Sequence, residues 1–226
     1  MTAKKKIIII TLLYLIAVVP LGVVIHGNFE LKSVQNACFA FVVLNFVAGI
    51  VLAWKSKDFW LVSTALLFTV FADRILSYNV MSLIDMGIIL FTFTQVAYFF
   101  KSYYLEESKA KRIAFGIVLP TVFCVLFFIT LALMGKPNGL TVIAITYFSF
   151  LVTACLFAFA RFGKDPLFAI GLLLFIACDF FLGAQFVGIG AGTIIHEIDC
   201  WWFYYPSQIL IILSIVYTRL MEKTEQ

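Results

Sequence analysis

Two aspartates stand where a carboxylate is expensive to place. Asp73 lies in FTVFADRILS and Asp179 in LLFIACDFFLG, each inside a long apolar run. The other ten of the twelve acidic residues fall in connecting segments, near the chain ends or at the edges of such runs. An ionisable side chain at the centre of a bilayer costs about 2.5–3.5 kcal/mol on insertion scales, so it is kept for a partner or a task. Two amides accompany the aspartates: Gln95 in FTFTQVAYF and Gln208 in YYPSQILII. Tyr98, Tyr147, Tyr204 and Tyr205 offer hydroxyls nearby, and Pro206 frees a backbone carbonyl. Two neighbouring carboxylates in a dry interior resist ionising together, so one can serve as a general acid while the other acts as base or charge stabiliser. Glycoside hydrolysis uses that division to pass through an oxocarbenium-like transition state. An acid-labile ether of a lipid is the comparable substrate within a membrane.

The elements that must position these residues follow from composition. The chain has 226 residues, 64% of them hydrophobic and 12% charged, with a mean hydropathy of +1.10. Soluble domains carry about a quarter of their residues as charges, which excludes a secreted enzyme, a nucleic-acid binder or a disordered regulator. Hydrocarbon about 30 Å thick needs about 20 apolar residues of helix. Eight stretches meet that need: Ile7–Ile25, Val34–Trp54, Phe59–Tyr78, Ile84–Lys101, Ile113–Met134, Leu140–Ala160, Leu167–Gly188 and Trp201–Leu220. The runs are continuous rather than alternating, which predicts helices and not barrel strands. The expected fold is an all-α membrane protein of eight transmembrane helices in one domain, residues 1–226. Both aspartates sit on spans running away from the N-terminal side, roughly 18–21 Å in at 1.5 Å per residue. With Asp73 laid on Asp179, Leu66-Leu67 falls on Leu172-Leu173 and Leu76 on Leu182. Thr94-Gln95 and Ser207-Gln208 then occupy the spans that follow. This pattern predicts two parallel four-helix repeats, residues 1–108 and 109–226, around a central cavity.

Positive charge sets the sidedness. Thirteen of the sixteen basic residues fall on the N-terminal side of the eight spans, against Lys32 and Lys136 opposite and Arg74 within a span. Both termini are therefore expected in the cytoplasm, in the inner membrane if the host is bacterial. Lys4, Lys5 and Lys6 before the first span suggest a retained signal-anchor, since the run exceeds an ordinary signal peptide and seven spans follow. The inventory removes several chemistries. His26 and His196 are the only histidines, so a three-histidine metal site cannot form. His196, Glu197, Asp199 and Cys200 lack a recognised ligand spacing and read as a solvated loop, as do Gly188, Gly190 and Gly192. No G-x-S-x-G, H-E-x-x-H or phosphate-binding loop is present. The five scattered cysteines read as small packing residues. No metal or cofactor is expected.

At these residues the sequence resembles the lysoplasmalogenase family of membrane proteins, also called YhhN-like. The resemblance covers nearly the whole chain in length and span layout. It rests on Ala72-Asp73-Arg74-Ile75-Leu76, Cys178-Asp179, Tyr204-Tyr205-Pro206-Ser207-Gln208, and Gln95 three residues before Tyr98. The family pattern has Gly at 72, Ser at 178 and His at 95, so this chain departs at three positions. The resemblance implies metal-independent hydrolysis of the vinyl ether of a lysoplasmalogen, a lysophospholipid, to a fatty aldehyde and a glycerophospho-base. It implies Asp73 and Asp179 as catalytic groups. Gln95, Tyr98, Tyr204, Tyr205 and Gln208 would hold water and glycerol, and Arg74 would meet the phosphate. Membrane lipids are the expected surroundings, with no nucleic-acid partner. Two other readings stay open: a proton- or cation-coupled transporter, and a non-catalytic lipid-binding protein.

Overall fold

Uninterrupted apolar runs leave a backbone in lipid no partner but itself, and the chain answers with helices. A computed structural model describes residues 3–27, 29–54, 56, 59–77, 83–104, 108–133, 135, 139–187 and 198–222. Among the described residues there are eight helices and no strand. They are α1 (Ala3–His26), α2 (Leu31–Ala53), α3 (Phe59–Ser77), α4 (Ile84–Tyr104), α5 (Lys109–Leu133), α6 (Gly139–Ala160), α7 (Pro166–Val187) and α8 (Trp201–Glu222). All eight expected stretches are helical, with ends shifted by a few residues. Gly188, Gly190, Gly192, His196 and Glu197 lie outside the described residues, as do the basic residues Lys55, Lys57, Lys136 and Lys223.

Seven of the helices, α1 to α7, are long and apolar enough to cross a membrane. The eighth is as long, 22 residues, but its first half reads WWFYYPSQ and is too polar to qualify by hydropathy alone. Its packing gives the reason. α8 lies against α1, α2 and α7, and Ser207, Gln208, Ile211, Ile212, Ser214 and Ile215 are all buried. A helix surrounded by protein is not selected for apolarity around its whole circumference. α5 is the opposite case, with no buried residue along its length.

Around the bundle α2, α3, α4, α6, α7 and α8 follow one another, each packed on the next, and α8 returns to α2. α1 lies outside this ring in the groove of α2 and α8, and α5 lies outside it against α6. α1 is held by polar contacts: Tyr14 donates to Asn45 Oδ1 at 2.6 Å, Tyr205 donates to the Val18 carbonyl at 2.8 Å, and His26 stacks on Trp202 at 4.1 Å. α5 has a π-helical turn at Ala114–Val118, closed by the Leu119 N–H on the Ala114 carbonyl. The turn immediately precedes Pro120, which has no N–H for an ordinary helical bond.

Close approach within the ring needs small residues. Gly49 on α2 faces Leu66 on α3, where a Cβ would stand 2.1 Å from Leu66 Cδ1. Thr94 on α4 donates to the Ala65 carbonyl on α3 at 3.1 Å. The α6–α7 connection is fixed by Asp165, which accepts the Phe168 N–H at 3.2 Å and so caps the start of α7.

Candidate functional site

Both aspartates line the inside of the ring, each in the grip of one tyrosine. Tyr204, on the first turn of α8, donates its phenolic hydrogen to the Asp73 carboxylate from α3. Tyr147 of α6 donates likewise to Asp179 of α7. Asp73 is buried and Asp179 half-buried. The two tyrosine rings are tied to one wedge: Phe91 of α4 lies 6.2 Å from Tyr147 and 6.5 Å from Tyr204, centroid to centroid. Phe175 closes the cluster, 6.0 Å from Phe91 and 5.4 Å from Tyr204. Asp73 and Asp179 are near enough to act on each other electrostatically, and Tyr98 lies within the same range of Asp73. Five helices thus contribute to one centre: α3, α4, α6, α7 and α8.

Beside the carboxylates is a second group of side chains with an unusual property. Gln95, Tyr98, Ser207 and Gln208 are all buried, and the polar atoms of their side chains make no hydrogen bond within the described protein. A buried polar group left without a partner costs about 1–3 kcal/mol, so four together in one region point to something polar that meets them. None is needed to hold the helices together. Interhelical glue is provided elsewhere, by Thr69 and Thr94 at 3.3 Å and by the Thr94 bond to Ala65.

The other expected site residues separate. Tyr205 follows Tyr204 but points elsewhere, because adjacent residues on a helix are about 100° apart. Its ring stacks on Phe41 at 4.5 Å and its hydroxyl serves α1. Gly22 makes room for it, since a Cβ there would stand 2.5 Å from the Tyr205 hydroxyl. Arg74 is exposed, with its guanidinium 4.9 Å above the Phe39 ring, on a different side of α3 from Asp73. Asp199 accepts the Trp201 N–H at 3.0 Å and so caps α8, while His196 and Glu197 are outside the described residues.

Sequence reasoning under-weighted three participants. Tyr147 is one of nine tyrosines, and Phe91 and Phe175 are two of 26 phenylalanines. An aromatic residue in a membrane helix carries no insertion penalty to mark it. Lys101 lies in the last turn of α4, as its place in the apolar run predicts, and it is also buried. It bonds Ser214 Oγ at 3.5 Å, pairs with Asp165 at 3.7 Å and lies 4.0 Å over the Phe168 ring.

No curated protein and no solved structure matches this chain. The model of the YhhN family matches residues 31–215, well over half of the chain, which takes in every residue of the two tyrosine–aspartate pairs. The chain belongs to the YhhN family.

Proposed function

We propose that this protein is a lysoplasmalogenase-type hydrolase that cleaves the vinyl ether of a lysophospholipid with Asp73 and Asp179. The observation that carries the reading is the convergence of two carboxylates, each bound by its own tyrosine, on one aromatic wedge in a chain of the YhhN family. One aspartic acid gives its proton to the vinyl carbon distal to the ether oxygen, which leaves an oxocarbenium at the other. The second carboxylate stabilises that cation and takes a proton from the water that attacks it. The hemiacetal so formed collapses to a fatty aldehyde and the free glycerol hydroxyl. Proton transfers of this kind contribute about 10²- to 10⁴-fold each. Gln95, Tyr98 and Gln208 hold water and the glycerol backbone. The two halves, 1–108 and 109–226, act as parallel repeats that bring the carboxylates to one depth. The bias of basic residues to one side supports a cytoplasmic location for both termini.

Purified protein incubated with lysoplasmenylethanolamine is expected to release aldehyde, and Asp73→Asn or Asp179→Asn to abolish that release. Full activity in both variants sinks the two-carboxylate mechanism. Substrate counterflow across vesicles without hydrolysis favours a transporter.

A further inference from the structure

Two contacts join α4 to α8 across the interior of the ring. Phe91 meets Tyr204 beside the carboxylates, and Lys101 meets Ser214 at the basic end of the bundle. Both pairs are separated by 113 residues, and so are Gln95 and Gln208. On α4, positions 91, 95, 98 and 101 fall along one face, as do 204, 208, 211 and 214 on α8. Gln95 and Gln208 therefore sit at one level between the two contacts. The stretch from Phe91 to Lys101 is about 15 Å long at 1.5 Å per residue. Within it lie the four buried side chains that find no partner in the protein: Gln95, Tyr98, Ser207 and Gln208. Beyond the far end stands Asp165, the partner of Lys101, which has 15% of its side chain exposed.

We propose that this layer is hydrated, and that it delivers the water consumed in the hydrolysis past Lys101 and Asp165, from the basic side of the membrane rather than from the lipid. The supply role rests on the hydrolase reading; the hydration does not. Two amides, a phenol and a serine hydroxyl offer donors and acceptors that water satisfies, and no charge that would select an ion. Tyr98 joins the two ends. Its ring packs 5.8 Å from Phe168, which carries Lys101, while its hydroxyl lies within electrostatic range of Asp73. Lipid and water then approach the carboxylates by separate routes.

X-ray radiolysis oxidises side chains that touch water, and the wild-type protein suffices for the first test. Tyr98 is expected to oxidise about tenfold faster than Tyr14, which is comparably buried but already bonded to Asn45. Equal rates overturn the proposal. The double variant Gln95→Leu, Gln208→Leu is expected to bring Tyr98 down to the rate of Tyr14 and to slow aldehyde release at least as much. A dried layer with unchanged turnover overturns the supply role. Lys101→Met is expected to slow Tyr98 oxidation, and an unchanged rate overturns the route. A wild-type protein that oxidises at Tyr98 but never releases aldehyde rejects the hydrolase reading and leaves the hydrated layer standing.

Discussion

Asp73 and Asp179 each accept a tyrosine hydroxyl, yet the two partners come from differently placed helices and the two carboxylates differ in burial. The partner of Asp73 comes from α8, which packs against α7 and α2 rather than beside α3 in the ring, and this aspartate is buried. The partner of Asp179 comes from α6, the immediate neighbour of α7, and this aspartate keeps partial exposure. The position on α4 that lies opposite Tyr204 holds Phe91, which has no hydroxyl to give. A tyrosine on α6 supplies it instead. Two carboxylates with the same insertion cost thus acquire different surroundings, and different surroundings are what separates an acid from a base in a dry site.

The comparison can be broken most forcefully at the carboxylates themselves. Asp73→Asn and Asp179→Asn should each lower aldehyde release by about 10²- to 10⁴-fold, read by a coupled aldehyde assay. Loss in only one variant would leave a single-carboxylate mechanism. Next come the tyrosines. A hydrogen bond to a charged group is worth about 1.5–3 kcal/mol, or roughly 10- to 100-fold in rate if it acts in the transition state. Tyr204→Phe should show the larger loss in kcat and Tyr147→Phe the smaller, because Asp73 is the more buried of the two carboxylates. The reverse order would mean that burial does not distinguish the two sites. Gln95→His restores the titratable group of the family pattern. It should change the rate by less than about tenfold while adding a limb to the pH–rate profile. A profile unaltered in shape would place residue 95 outside the proton pathway. Arg74→Gln should do least. The exposed side chain, on a different side of α3 from Asp73, predicts a thermal stability change within about 0.5 kcal/mol and an unchanged KM.

How much of this was legible in the sequence depended on whether a residue violated the rules of its surroundings. Eight helices and two aspartates are visible because lipid punishes exceptions: an Asp or Gln in an apolar run stands out by its cost. Tyr147 and Phe91 violate nothing, so only their packing marks them. Tyr205 was grouped with Tyr204 by adjacency, although the 100° step between neighbours on a helix argues that a ring site takes one and not both. Lys101 was assigned to a span end by the length of the apolar run. Its burial depends on Asp165, Phe168 and Ser214, brought from two other helices. Distances across the ring are set by tertiary packing, which no local pattern encodes.

The central place of α8 also bears on how the protein is made. The helix least suited to stand alone in lipid is the last of the eight in chain order, and it carries Ser207 and Gln208 on faces that end buried. Until it inserts, the remaining helices form an open arc whose two free edges, α2 and α7, wait for it. The Tyr204 hydroxyl that meets Asp73 comes with this last helix, so the carboxylate on α3 has no tyrosine partner until α8 is in place.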